Sequence, residues 1–283
     1  MLSQASLTTF LKPSDTLNVT RRNAVMLTEG GLSAATLIGL HQLWYADYPQ
    51  SEFHFINDNS EWLQMDKMGH FFSTYYLTNY SSQAMKWAGV SRKNQLLYGA
   101  AVGMVFMTTV EVFDGHSSKW GASTGDLMAN SLGTGLFVGQ ELLWKEQRIV
   151  PKFSFHHTAL ASSNPELFGN SWNENLLKDY NGQTYWLSFN LHSFFKSSPL
   201  PQWVNVAFGY GAEGMRSGNQ NPLLENEPRY RQFYISLDVD LTKIKTKSPL
   251  LKTVFSVFNT LKVPAPTLEF SRSGQVGWHF VYF

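Results

Sequence analysis

Ionisable groups set into apolar helical text constrain this chain more than any other feature. Asp66, Lys67 and His70 fall in MDKMGH, Glu111 and Asp114 in VEVFDGH, and Asp126 and Asn130 in GASTGDLMANSLG. A charged or strongly polar group on an apolar helix is costly unless it is partnered. Consecutive helices that each carry such groups are therefore expected to pack as a bundle around one shared polar cluster, and any chemistry should be sought there.

The helical text falls between residues 23 and 149, after an amino-terminal extension of residues 1–22. A first apolar stretch at 23–46 carries Gly30, Gly31, Ser33, Ala34 and Ala35, small residues that would let another helix approach closely. The polar loop 47–62 follows. The pattern then predicts helices over about 65–88, over 93–113 with Glu111 as its internal charge, and from Ser123 or Thr124 to 144. The apolar run before Phe113 is borderline in length for crossing a bilayer.

From residue 150 onward the period changes from helical to two. In TYWLSFNLHSF, Tyr185, Leu187, Phe189 and Leu191 share one face, and Thr184, Trp186, Ser188, Asn190 and His192 the other. RQFYISLDVDL opposes Phe233, Ile235, Leu237, Val239 and Leu241 to Gln232, Tyr234, Ser236, Asp238 and Asp240. Each is expected as a half-buried strand. TLEFSRSGQVGWHFVYF predicts two short strands joined around Ser273 and Gly274, and PLLKTVFSVFNTLKVP a short amphipathic helix within 249–262. Aromatic alternation and a terminal Phe are similar to an outer-membrane barrel, but four to six strands fall short of the eight or more that a closed membrane barrel needs. The fold class expected is α+β: an apolar helical bundle followed by a small antiparallel sheet at residues 150–283, associated with a membrane.

Composition supports that setting. Charged residues make up 15% of the 283 residues and aromatics 15%, with net charge +1, whereas charged residues average about 25% in soluble domains. No basic run is present, which excludes nucleic acid as a partner. Membrane lipid and other outer-membrane or periplasmic proteins are the partners expected. The chain has no Cys, so disulfides, thiolate catalysis and Cys-based zinc sites are excluded. Its first residues lack the basic start and apolar core of a signal peptide and read as the start of a mature or truncated chain.

Spacing places the polar groups on shared faces. Asp66 and His70 are four apart, Lys67 and His70 three, Glu111 and Asp114 three, and Asp126 and Asn130 four. Ser123 stands where it can cap the fourth helix. The expected cluster is thus Asp66, Lys67, His70, Glu111, Asp114, Ser123, Asp126 and Asn130, with Lys67 balancing Glu111 or Asp126. Six of these also have a plainer role: Asp66, Ser123 and Asp126 as caps, Lys67 as a counter-charge, His70 as a hydrogen-bonded core residue, Asn130 as a helix-bridging amide. If there is chemistry, His70, Glu111 and Asp126 are the catalytic candidates. His70, Glu111, Asp114 and Asp126 offer metal donors, with His116 as a spare, but no HExxH or similar dense motif identifies a metal or other cofactor. Ser123, His70 and Asp126 permit a triad on paper, although GASTG is not the GxSxG elbow and lacks the ending of a Walker loop. Trp172, Tyr180 and Trp186 could contact carbohydrate or a lipid headgroup, but their polar segment reads more readily as an ordered connection.

The order D-K-x-G-H, then acids near the end of an apolar helix, then G-A-S-x-G-D-x-x-A-N-x-x-G resembles the YfiM-like family of uncharacterised envelope proteins, described as predicted periplasmic lipoproteins. LKDYNGQTYWLS resembles the longer members of that family. The same spacing is more distantly similar to the VanZ-like membrane family. The resemblance implies a location at the outer membrane or its periplasmic face and supplies no settled reaction. Two functional readings stand: a structural or assembly component whose polar cluster locks the helices, or a lipid- or cell-envelope-directed hydrolase, with or without the assistance of a metal.

Overall fold

The computed structural model describes residues 9–219, 229–271 and 276–283. The chain divides into two compact units, Met1–Asp58 with Gly69–Glu146, and Asn59–Met68 with Gln147–Phe283. It is mixed helix and antiparallel sheet, the α+β class expected.

The first unit is built from α1 (Val19–Leu40), most of α2 (Met65–Trp87), α3 (Arg92–Gly115) and α4 (Thr124–Trp144). The Asn18 side chain caps α1 by accepting the Arg21 N–H at 3.0 Å, and a π-helical turn, His41–Tyr45, continues it. α4 ends where Lys145 turns left-handed at φ 58°. Two short strands, β1 (Phe55–Ile56) and β2 (Ala122–Ser123), pair in parallel inside what the sequence presents as a polar loop and a helix start.

The expected close approach at Gly30 and Gly31 is not where the helices meet. A Cβ at either position would touch nothing within 4 Å among the described residues. The approach occurs instead at Gly99, where a Cβ would lie 2.4 Å from Thr78 O, at Gly103, 3.0 Å from Thr74 O, and at Gly133, 2.2 Å from Phe71 O. Backbone contact on α2 thus forbids side chains on α3 and α4 at those levels. α1 buries only Val25 and leaves Leu27 78% exposed.

In the second unit, β3 (Ile149–Phe155), β4 (Gln183–Asn190), β5 (Val204–Glu213), β6 (Tyr230–Val239), β7 (Ala265–Phe270) and β8 (Val276–Tyr282) form an antiparallel meander in chain order. The turn expected around Ser273 and Gly274 lies outside the described residues. Helix α5 (Pro249–Phe258) begins with Pro249 behind its Ser248 cap. The outer edge of β3 is not left open: Phe153 N donates to Thr260 O and Lys262 N to Phe153 O, both at 2.9 Å. The segment leading into β7 therefore returns to β3 and rolls the sheet.

The two-residue alternation is present, but its polarity is reversed. One cross-strand row runs Leu187, Phe208, Ile235, Leu268, Trp278, and its neighbour runs Ser188, Ala207, Ser236, Thr267. The polar row is buried and the apolar row faces out, with Leu237 55% and Phe280 81% exposed. Gly209 makes room for Trp186 inside, since a Cβ there would lie 2.7 Å from the indole. Burial of Trp186 removes it from the surface contact considered above, while Trp172 remains exposed.

Polar groups inside the roll are costly unless satisfied, and Asp238 is satisfied on both oxygens. Its Oδ2 accepts from Lys152 Nζ at 2.8 Å and Ser188 Oγ at 2.6 Å; its Oδ1 accepts from Val263 N at 3.1 Å and lies 3.9 Å from Lys262 Nζ. Asn205 Nδ2 donates to Ser188 Oγ, and Asn190 Nδ2 to Asn205 Oδ1, each at 2.8 Å. Lys262 Nζ also donates to Leu237 O and Val263 O at 2.7 Å. Burial pushes the Lys262 ammonium down to about 8, against the opposing pull of Asp238.

These contacts separate the two lysines. Lys152→Met should cost on the order of 3 to 5 kcal/mol by stranding a buried carboxylate, and Lys262→Met distinctly less. Because folding lowers the Lys262 pKa, the unfolded chain holds a proton that the folded chain lacks between pH 8 and about 10.4, so this group's contribution to stability rises with pH across that window. Denaturant titrations at pH 7.5, 8.5 and 9.5 should show the wild type gaining relative to Lys262→Met; parallel pH profiles would refute it.

Candidate functional site

The helical unit encloses the polar cluster, and Ser123 is its junction. The β1–β2 bridge aligns Ile56 with Ser123 and so carries Asp58, two residues on, to the start of α4. Ser123 Oγ donates to Asp58 Oδ1 at 2.6 Å and accepts the Asp126 N–H at 3.2 Å, capping α4. Its backbone N–H donates to Glu111 Oε2 at 2.8 Å. The other Glu111 oxygen, Oε1, lies 3.5 Å from His70 Nδ1. That same ring nitrogen is 3.2 Å from Asn130 Oδ1, which also lies 2.9 Å from the Thr74 hydroxyl. Thr74 reaches its own helix as well, donating to His70 O at 2.5 Å. Asp58, His70, Thr74, Glu111, Ser123, Asp126 and Asn130 are all buried.

Of the groups named from sequence, His70, Glu111, Ser123, Asp126 and Asn130 are joined here, Asp126 through its backbone N–H and with a carboxylate oxygen within 4.8 Å of a His70 ring nitrogen. Asp114, three residues after Glu111, accepts a hydrogen bond from Tyr45 OH at 2.8 Å. Asp66 stands one helical turn before His70 on α2; it accepts from Tyr180 OH at 2.7 Å and lies 3.7 Å from Lys67 Nζ. His116 is exposed, edge-on to Phe53, with its Nδ1 3.4 Å from Ser51 O.

Ser123 is committed to structure. Its one hydroxyl hydrogen goes to Asp58 and its oxygen accepts the capping N–H, so the hydroxyl is not presented to a histidine as a triad requires. Asp58 and Thr74 are the members that sequence reasoning missed. Thr74 could have been found, since it follows His70 by four residues on a helix, as Asn130 follows Asp126. Asp58 carries no local signal among Asn57, Asn59 and Asp47, because a two-residue bridge from a distant segment creates its role.

Residues 52–140 match the model of a family described as "Predicted periplasmic lipoprotein (DUF2279)". The match covers under a third of the chain yet holds every residue of the cluster, and its description fits a cell-envelope-associated protein. No curated protein and no solved structure matches the chain.

The junction makes a direct prediction. Ser123→Ala removes the α4 cap, worth about 1 kcal/mol, and leaves the buried Asp58 oxygen without its donor, worth about 1 to 3 kcal/mol more. Ser123→Thr should keep both. In a double-mutant cycle with Asp58→Ala, thermal or denaturant unfolding should report coupling of roughly 1 kcal/mol or more; additive losses would show that the hydrogen bond contributes nothing.

Proposed function

We propose that the protein is a membrane-associated structural or assembly component of the cell envelope, held in the outer membrane or at its periplasmic face. The observation that carries this reading is the reversed polarity of the sheet, with Lys152, Ser188, Asn205, Ser236 and Asp238 inside and Phe208, Phe233, Leu237, Trp278 and Phe280 outside. A water-soluble sheet with one solvated face has the opposite arrangement, and a lipid-facing one has this arrangement. Contiguous apolar surface on this scale is rare on a protein that lives alone in water. The amphipathic α5 adds Leu250, Leu251 and Phe258, all exposed. Among the described residues, α3 is the one helix long and apolar enough to cross a membrane.

On this reading the partner of the outer face is membrane lipid, with other outer-membrane or periplasmic proteins as further partners, and the Ser123 cluster holds the helices together. The YfiM-like resemblance agrees with that location. The committed hydroxyl of Ser123 favours a structural role over hydrolysis by a serine nucleophile.

The protein should fractionate with membranes and need detergent for extraction. In vesicles, Trp278 should be quenched by brominated acyl chains, and Phe233→Lys with Phe280→Lys should lower membrane recovery, since a lysine facing the lipid core costs about 2 to 4 kcal/mol at mid-depth. Recovery of the intact chain as a stable monomer without detergent would overturn the proposal.

A further inference from the structure

We propose that one end of the sheet seats on a layer of anionic lipid headgroups, with the apolar face of α5 at the acyl boundary and Lys245, Lys247 and Lys252 against the lipid phosphates. The inference rests on the membrane reading above and adds to it the charge of the lipid and the end of the sheet that meets it. The register fixes which segments share that end. Asn190 of β4 stands opposite Asn205 of β5, and Val204 of β5 opposite Val239 of β6, so the connections 191–203 and 240–264 leave the sheet at the same end. Asp240 N donates to Trp203 O at 2.9 Å and holds the two together.

Charge sets this end apart from the other. Its two connections hold six lysines, with Lys262 inside the roll, and a single acid, Asp240. Asp240 is buried and accepts from the Thr242 N–H and hydroxyl, so its charge is turned away from the surface. Lys196, Lys245, Lys247 and Lys252 are exposed, interleaved with apolar and hydroxyl residues rather than run together. In sequence, the three connections at the opposite end, 156–182, 214–229 and 271–275, hold five acids and four basic residues. α5 supplies the apolar part. Leu250, Leu251, Val254, Val257 and Phe258 recur at helical spacing along one face, which in a water-soluble domain would be packed on the core. None of the ten residues of α5 is buried, and Leu250, Leu251, Val257 and Phe258 are exposed. Lys252 lies on the opposite face, and Lys245 and Lys247 precede the helix. A helix with an apolar stripe and lysine on its polar side suits the plane of a membrane interface, where binding draws on apolar burial and on attraction to anionic lipid together. Trp203, exposed in the neighbouring connection, is a residue type that gathers at that depth.

The test uses the full chain, diluted from detergent onto preformed vesicles of phosphatidylcholine alone or with phosphatidylglycerol, and recovered by flotation. A basic side chain near an anionic surface strengthens association about fivefold, so three lysines should give the wild type a preference on the order of a hundredfold for the anionic vesicles at low salt. Combining Lys245→Gln, Lys247→Gln and Lys252→Gln should remove most of that preference, as should about 1 M salt, which screens charge within about 3 Å. Lys247→Gln by itself should lower the preference about fivefold, whereas Arg216→Gln, which takes one charge from the opposite end of the sheet, should leave it unchanged. All four side chains are exposed, so their replacement leaves the folded chain intact. Equal recovery of the wild type with both kinds of vesicle, or a preference that survives the triple substitution, would overturn the inference and leave the membrane reading standing. Recovery with neither would overturn the membrane reading and this inference with it.

Discussion

Ser123 carries the helical unit. One residue joins the β1–β2 bridge, the end of α3 and the start of α4, because its backbone N–H holds Glu111, its hydroxyl hydrogen holds Asp58, and its oxygen caps α4 through Asp126. Each of these bonds is modest in water. In a buried site the alternative is a desolvated carboxylate without a donor, which is far more costly than any one bond is stabilising. The acids can therefore be enclosed only if the bridge, the cap and the end of α3 form together. The glycines make that enclosure tight: Gly103 and Gly133 let α3 and α4 lie against the α2 backbone within a turn of His70 and Thr74.

The sheet solves a related problem in another way. Asp238 lies inside the roll at 3% exposure, and its register neighbours fix what surrounds it. Since side chains alternate with a period of two, a slip of one residue on β6 would send Asp238 and Ser236 outward and bring Leu237 and Ile235 against Lys152 and Ser188. The charged network thus specifies register as well as contributing energy. Its two lysines differ in kind. Lys152 makes a 2.8 Å ion pair with Asp238, whereas Lys262 sits 3.9 Å away and spends its donors on two carbonyls, which is why burial outweighs the carboxylate's attraction in setting its charge.

Local chemistry made much of this legible in sequence. Ser123 marks a helix start as capping rules require, the 3.6 period gives α2, α3 and α4 close to their limits, and strict alternation in RQFYISLDVDL gives β6. Other features were not legible. Alternation states that a strand has two unlike faces but not which one is enclosed, because that depends on the solvent outside; the inward sense here is set by Lys152 and Lys262 meeting Asp238 from distant segments. Gly30 and Gly31 look the same in sequence as Gly99 and Gly103, yet only the latter pair has a backbone opposite it. Asp58 acquires its role from a two-residue bridge whose partners lie far apart in the chain. Likewise, Asp114 shares a helix with Glu111 but finds Tyr45, since position on a face limits partners without naming them.

Each unit, taken by itself, places hydrogen-bonding groups inside and leaves large apolar side chains outside. In the helical unit Leu27, Val105, Met128, Leu132 and Leu143 are exposed while His70, Thr74, Glu111 and Asn130 are enclosed. In water the hydrophobic effect would work against such an arrangement. In lipid that driving force between helices is absent, and association rests on close backbone approach at small residues and on hydrogen bonds between helices. The helical unit has both: glycines 99, 103 and 133 at its contacts, and the bonds from α4 and β2 to α2 and α3 at Asn130 and Ser123. The proposed membrane setting thus accounts for what stands at the centre of the helical unit as well as for what covers the sheet, since a protein solvated by lipid has only polar contacts and close packing with which to specify its interior.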